Sequence, residues 1–322
     1  MPKATIIGNT TWGNTLAALL SSKGVEVRLW ARSQVEAEGL NRKLYSYSST
    51  SRIEEALKGS DLVIWVVPSQ KLRQNVALAK DYLTNLMLLV SAAKGLEVDS
   101  GKRMSQVMAE EIAPALKQHI CVLSGPNLAR EIALGLPAAS MVAAQDITVA
   151  ERVRDLMGSP EFSLFTTDDV IGVELGGALK NIVALGAGMI DGLNLGDNAK
   201  AAFVTWSWAE VISSGVALGA KSSTFYGLAG LGDLMATCAS TLSRNHYVGY
   251  ELAKGRSLKE ITASMSQVAE GVNTAMAVHQ IIQKLNLQTP IINLIYQVLF
   301  ENLPATEALA DFGKLTSLKA SG

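Results

Sequence analysis

Along the first half of the chain, short continuous apolar runs alternate with segments whose apolar residues recur at helical spacing. That alternation predicts a parallel sheet with crossover helices. Residues 4–7 read as the first strand, 12–23 as a helix ended by Gly24, and 25–30 as the second strand. Residues 61–67, stopped by Pro68, give a third strand, and 86–92 and 120–123 continue the series. Unbroken hydrophobicity of this kind belongs to strands buried on both faces. The polar run 46–51 (SYSSTS) reads as a loop. Beyond Asp168 the strand-like runs stop. Val278, Ile281, Ile282 and Leu285 share a helical face, as do Leu294 and Val298, and Thr289-Pro290 fits a helix start. A domain boundary is expected at 165–170, dividing the chain into an α/β part, 1–168, and an all-α part, 169–322.

Ligands of open α/β sheets bind beyond the carboxyl ends of the strands. The first strand runs into Gly8-Asn9-Thr10-Thr11-Trp12-Gly13 and then a helix, an arrangement that can set a pyrophosphate on a helix N-terminus. Gly8 and Gly13 taken alone also fit a plain tight βα turn. The dinucleotide pattern has glycine where Thr10 stands, so Thr10 either sets the loop back or offers its hydroxyl. The second strand ends at Trp30-Ala31-Arg32-Ser33, with no acid where an NAD enzyme keeps one for the ribose hydroxyls. Arg32 and Ser33 suit a ribose 2′-phosphate instead. NADP(H) is therefore the preferred coenzyme of this reading and NAD(H) the alternative, although an ordinary solvated arginine has the same appearance. Ala93-Lys94-Gly95 and Ser124-Gly125-Pro126-Asn127 close two further strands.

Lys180 is the only charged residue from Leu175 to Ile190. An ammonium in so apolar a segment is paired, neutralised or used. A buried helix whose lysine snorkels to the surface accounts for it as well as an active-site helix does. The stretch 175–190 is shorter than the roughly twenty residues that span a bilayer, and a lysine near its middle opposes membrane insertion. Downstream, GLAGLGDLMATC at 227–238 is followed by Ser243-Arg244-Asn245. Those three side chains suit a phosphate, the arginine through a forked contact, and they suit a solvated helix end too. Lys180 and its neighbour Asn181 are expected to face the crevice between the two domains, where small-molecule sites are often found.

Composition narrows the classes. With 322 residues, 48% hydrophobic and 18% charged, the chain reads as an ordered globular protein with a large core. A formal net charge of -1 offers no footprint for nucleic acid or an anionic membrane. Cys121, Cys238, His119, His246 and His279 show no metal-ligand spacing, so no metal is expected and the cysteines read as reduced core thiols. Nothing in the first residues resembles a secretory signal, which makes the cytoplasm the expected compartment.

Read together, IGNTTWG at 7–13, VVPS at 66–69, AKGLE at 93–97, SGPNLAREIALGLPAA at 124–139, IGVELGGALKNIVALGAGMIDGL at 171–193, AGLGDLMATC at 229–238, SRN at 243–245 and VAEG at 268–271 resemble the bacterial-type NAD(P)-dependent glycerol-3-phosphate dehydrogenases nearly end to end. The resemblance implies a Rossmann-like dinucleotide-binding domain followed by an all-α substrate domain. It implies that dihydroxyacetone phosphate, a triose phosphate, and sn-glycerol 3-phosphate are interconverted by hydride transfer, with glycerol 3-phosphate supplied for phospholipid synthesis. Carried over by position, Lys180 matches the catalytic lysine, Lys94 a second active-site lysine touching substrate and cofactor, and Asp233 the acid beside the catalytic lysine. Ser243, Arg244 and Asn245 match the substrate-binding triplet, with Gly125 and Asn127 as further substrate contacts. Gly8, Thr11, Trp12, Gly13, Arg32, Ala129, Val268 and Glu270 match cofactor contacts, joined by Lys94 and Arg244. The chain departs from the pattern at Thr10, at Asn127 where serine or threonine is usual, and in a shortened 33–61 segment that lacks a Leu-Pro-Gly stretch.

Two other functions use similar parts. A keto- or hydroxy-acid reductase of the ketopantoate type shares the glycine turn and an interdomain lysine, but the GLGDL, TC and SRN series argues against it. An NADP(H)-binding sensor has no need of a proton donor, and Lys94, Lys180, Asp233 and Arg244 argue against that. The apolar helix around Trp206 and Trp208 is compatible with a homodimer.

Overall fold

The computed structural model describes residues 1–43, 45–240, 243–265, 267–310 and 312. The chain divides into two compact units, one formed by Met1–Lys94 and Lys102–Glu174, the other beginning at Leu175 and taking in Gly95–Gly101. In the first unit the strands are β1 (Lys3–Ile7), β2 (Glu26–Trp30), β3 (Ser48–Thr50), β4 (Leu62–Trp65), β5 (Leu88–Ser91), β6 (Ile120–Ser124), β7 (Ala138–Ala144) and β8 (Phe162–Thr167). They form one eight-stranded sheet in the order β3-β2-β1-β4-β5-β6-β7-β8. Pairing is parallel throughout except between β6 and β7. Helices α1 (Thr11–Ser22), α2 (Gln34–Asn41), α3 (Ile53–Leu57), α4 (Leu72–Ala79), α5 (Met104–Glu111), α6 (Ala129–Ala133) and α7 (Ile147–Met157) join the strands.

The two-residue period of a strand explains why the central runs are apolar throughout. Ala4, Ile6, Leu62, Ile64, Leu88 and Val90 face one layer, where they meet Leu16 and Leu20 of α1 and Val149 and Val153 of α7. Ile7, Val63, Trp65 and Leu89 face the other, against Leu72 and Val76 of α4 and Met104, Val107 and Met108 of α5. Both faces are covered, so neither alternates with polar residues.

Three strands were not expected from the sequence. β3 lies in the run read above as a loop: Ser48, Ser49 and Thr50 pair with Arg28, Leu29 and Trp30 at the sheet edge, too short and too polar to show a pattern. β7 (AASMVAA) is alanine-rich, and β8 (FSLFTT) leaves Phe165 53% exposed, so its hydrophobic signal is diluted. Both thiols are buried and free, as read: Cys121 on β6 and Cys238.

The second unit is helical among the described residues: α8 (Val170–Gly192), most of which lies here, α9 (Gly196–Ala217), α10 (Asp233–Ala239), α11 (Arg244–Ala253), α12 (Leu258–Ser264), α13 (Glu270–Leu285) and α14 (Pro290–Phe300). The last begins at the expected Thr289-Pro290, and its first amides, Ile291 and Ile292, each donate to the buried Glu210 carboxylate at 3.0 Å. Residues 175–190 lie within α8, whose 23 residues contain an 18-residue apolar window, so the helix is long enough to cross a bilayer, contrary to the expectation from 175–190 alone. What marks it as a core helix is that 94% of that apolar window is buried inside the protein. Its glycines serve close packing. A Cβ on Gly188 would lie 2.0 Å from the His246 carbonyl oxygen, and one on Gly249 would lie 1.8 Å from that of Leu185. The roughly 1 kcal/mol that each helical glycine forfeits is offset by a backbone approach that brings α11 onto α8.

Candidate functional site

In the second unit the lone cation of α8 is paired. Lys180 Nζ lies 2.9 Å from Asp233 Oδ1, with the two side chains 8% and 3% exposed. It also donates to Thr237 Oγ1 at 2.5 Å, while that hydroxyl donates to the Asp233 carbonyl at 2.7 Å. Asp233 is placed by an unusual turn: Leu228–Gly232 forms a π-helical turn that feeds directly into α10, a local irregularity often found at functional sites. Asp233 and Thr237 are four residues apart and so share one face of α10. A lysine that snorkels would not be held this way, so the snorkelling alternative is excluded by geometry.

The next residue on α8 joins a second cluster. Asn245 Nδ2 donates to Asn181 Oδ1 at 2.9 Å, and Asn245 Oδ1 accepts from the Gly271 amide at 2.9 Å. Both asparagines are buried. Two satisfied partners fix the Asn245 amide and leave its second N–H to donate elsewhere. Ser243 caps α11, its hydroxyl accepting from the His246 amide at 3.2 Å. Arg244 Nη1 donates to the Val268 carbonyl at 2.9 Å. Burial holds the Arg244 guanidinium below its ordinary range, and the Glu270 charge works against that shift. Lys180, Asp233, Asn245, Arg244, Val268 and Glu270 are thus drawn into adjoining clusters, in which Ser243 serves as a helix cap.

The first unit carries the remaining residues at the carboxyl ends of its strands. Gly8 has φ 127°, and a Cβ there would lie 2.4 Å from the Val66 carbonyl oxygen; one on Gly13 would lie 2.2 Å from that of Gly8. Only glycine fits the turn at these two places. Thr10 does not offer its hydroxyl outward. Its Oγ1 accepts from the Gly13 amide at 3.0 Å and donates to the Val66 carbonyl at 3.2 Å, so it is the N-cap of α1. No acidic residue occupies the first turn of α1, leaving its positive dipole end uncompensated and suited to an anionic pyrophosphate. This cradle fits a dinucleotide. Thr11 is exposed at the start of α1, and Trp12 packs edge-on to Phe162 with ring centroids 6.0 Å apart. Thr15 Oγ1 donates to the Ala129 carbonyl at 3.3 Å, which ties α6 to α1.

At the next strand ends, Lys94 Nζ donates to the Gly125 carbonyl at 2.7 Å, and Asn127 Nδ2 donates to Ser140 Oγ at 3.1 Å. Gly125 has φ 157°, and a Cβ there would lie 2.7 Å from Ser140 Oγ. Arg32 is exposed beyond β2. The reading that no acid stands near that strand end is corrected: Glu36 Oε2 accepts from the Arg32 amide at 3.0 Å, and its Oε1 accepts from Asn9 Nδ2 at 2.5 Å. The first turn of α2 carries Glu36 back to the strand, four residues beyond Arg32. Ser33-x-x-Glu36, a helix-start signature, was the available signal. Thr237 and Asn181 are the other groups not assigned a role from sequence. Their signals were the four-residue spacing from Asp233 and adjacency to Lys180.

Comparison with known proteins adds an independent line. Residues 3–150 match the N-terminal model of NAD-dependent glycerol-3-phosphate dehydrogenase, and residues 169–310 match the C-terminal model. A protein of Dehalococcoides mccartyi named glycerol-3-phosphate dehydrogenase [NAD(P)+] is 50% identical, covering 96% of this chain and 89% of its own. One of the same name from Syntrophotalea carbinolica is 43% identical, covering 98% of each chain. The crystal structure of a glycerol-3-phosphate dehydrogenase from Coxiella burnetii superposes with a TM-score of 0.90 at 30% identity, covering 97% of this chain and 98% of the other.

Proposed function

Because the chain belongs to the NAD-dependent glycerol-3-phosphate dehydrogenase family, we propose that it interconverts dihydroxyacetone phosphate and sn-glycerol 3-phosphate, with the two paired clusters of its helical unit as the substrate machinery. One observation carries the reading. A buried ammonium held by one carboxylate and one hydroxyl is a poor device for stability and a good one for catalysis. When bound, the reduced nicotinamide supplies the hydride. Lys180 donates a hydrogen bond and then a proton to the carbonyl oxygen as alkoxide character develops there. Asp233 and Thr237 hold the lysine nitrogen at a fixed position, as an ammonium before the transfer and as an amine after it. Arg244 and Asn245, with Ser243, bind the phosphate, the guanidinium supplying the charge and the fixed amide a directed N–H. Lys94, Gly125 and Asn127 complete the substrate contacts. On the coenzyme side the reading assigns Gly8, Thr11, Trp12, Gly13, Arg32, Ala129, Val268 and Glu270, together with Lys94 and Arg244.

Dependence on NAD(P) follows from the family and its dinucleotide-binding domain. The finer preference for NADP(H) is part of the proposal and rests on the exposed Arg32 guanidinium. The same reading assigns the protein to the cytoplasm, to supplying glycerol 3-phosphate for phospholipid synthesis, and to a homodimer. Of the two aromatics behind the dimer, Trp208 faces inward, packed on Phe225, while Trp206 is half-buried on α9. Sedimentation of the purified protein checks the dimer. The reaction is tested by following NADPH and NADH oxidation with dihydroxyacetone phosphate and then with ketopantoate. Oxidation with the first alone, yielding glycerol 3-phosphate, is the expected result; turnover with ketopantoate alone, or with neither, overturns the assignment.

A further inference from the structure

We propose that Glu36 sets the balance between the two coenzymes, accepting the ribose hydroxyls of NAD(H) and opposing the 2′-phosphate of NADP(H); the proposal rests on the dinucleotide reading of the β1–α1 turn. The carboxylate stands where three pieces of backbone meet. Its two oxygens accept from Asn9, in the glycine turn, at 2.5 Å and from the Arg32 amide, just past β2, at 3.0 Å. Asn9 is oriented in turn by Asn14, whose Nδ2 donates to Asn9 Oδ1 at 2.8 Å, and Asn14 accepts from the Tyr47 hydroxyl at 2.5 Å. A row of polar side chains therefore runs along the carboxyl ends of β1 and β2 and finishes at Glu36.

That location is where ribose recognition is decided in a sheet of this kind. Each oxygen of Glu36 receives one N–H, and both donors are uncharged groups. A carboxylate has about four acceptor sites, so two remain for the two protons that a ribose diol can give. A 2′-phosphate has no such proton to give near neutrality and brings like charge to the carboxylate. The exposed guanidinium of Arg32 acts in the opposite sense, pairing with phosphate and gaining little from a hydroxyl. Opposed groups at one strand end give a protein that accepts both coenzymes. Arg32 tilts the choice toward NADP(H), and Glu36 limits the tilt.

A helix-capping role would also explain the contact to the Arg32 amide, so the test separates charge from capping. Glu36→Gln keeps a side-chain oxygen for the cap and removes the negative charge. Dissociation constants for NADH and NADPH are measured by fluorescence titration on the unaltered protein, on Glu36→Gln and on Arg32→Ala, with thermal melts alongside. Glu36→Gln is expected to shift the affinity ratio roughly tenfold toward NADPH, and Arg32→Ala to shift it toward NADH. An unchanged ratio in folded Glu36→Gln, with both affinities held or lowered together, reduces Glu36 to a helix cap and overturns the proposal. Should Glu36→Gln not fold, Glu36→Asp, which keeps the charge, is compared with Glu36→Asn, which removes it. An equal ratio in those two overturns the proposal as well. Failure of the unaltered protein to bind either coenzyme overturns the dinucleotide reading itself, a result recognisable before any variant is made.

Discussion

Replacing Asp233 with alanine removes the carboxylate that lies 2.9 Å from Lys180 Nζ and leaves the ammonium, on a side chain 8% exposed, with Thr237 as its remaining protein partner among the contacts described. Breaking a buried pair from one side destabilises by about 3–5 kcal/mol, because the surviving charge is uncompensated. For a unit of this size that is a fall in Tm of roughly 6–20 °C. Lys180→Met removes the ammonium from beside the Asp233 carboxylate and is expected to destabilise as well. The double variant Lys180→Met/Asp233→Ala buries no charge and is expected to lose less than either single variant. Urea unfolding of the four proteins closes the cycle, and the coupling between the positions should reach at least about 2 kcal/mol in favour of the pair. Additive losses, or a loss below about 1 kcal/mol in Asp233→Ala, would contradict a tightly coupled buried pair. They would mean that solvent or another group already compensates the lysine.

Other outcomes follow from the same geometry. Gly13→Ala puts a methyl 2.2 Å from the Gly8 carbonyl oxygen, so the turn must open; NADPH affinity is expected to fall by about tenfold or more, and titration at normal affinity would contradict the fit. Burial pushes the Cys121 and Cys238 thiols up from 9.0 to about 12, so the folded chain keeps protons that the unfolded chain releases. Their stabilising contribution is whole below about pH 9 and is lost as pH rises toward 12. Melting temperatures of the unaltered protein and of Cys121→Ala/Cys238→Ala are expected to converge from pH 8.5 to pH 11, and parallel curves would show that the thiols play no part.

The doubly buried strands were legible because each carries one kind of signal from end to end, as Leu62 to Trp65 does. β3, β7 and β8 were not, since their own residues are short, small or half-exposed and carry no continuous apolar run. Similar reasons divide the site. Lys180 was visible as an isolated charge, whereas Thr237 became meaningful only when α10 brought its hydroxyl to that ammonium. Thr10 announced itself as a departure from the glycine pattern, yet its hydroxyl turns inward as a helix cap. Glu36 lies beyond the strand end in sequence, while the helix carries its carboxylate back to β2.

In the proposed reaction Lys180 delivers the proton. Steady-state reduction of dihydroxyacetone phosphate by Lys180→Ala, with the NADPH dissociation constant measured on the same preparation, tests it most directly. The expected result is a fall in kcat of about 10²–10⁴, the range of general acid catalysis, with NADPH bound as in the unaltered protein. Turnover within a few fold of normal in a folded Lys180→Ala would remove this lysine from the chemistry.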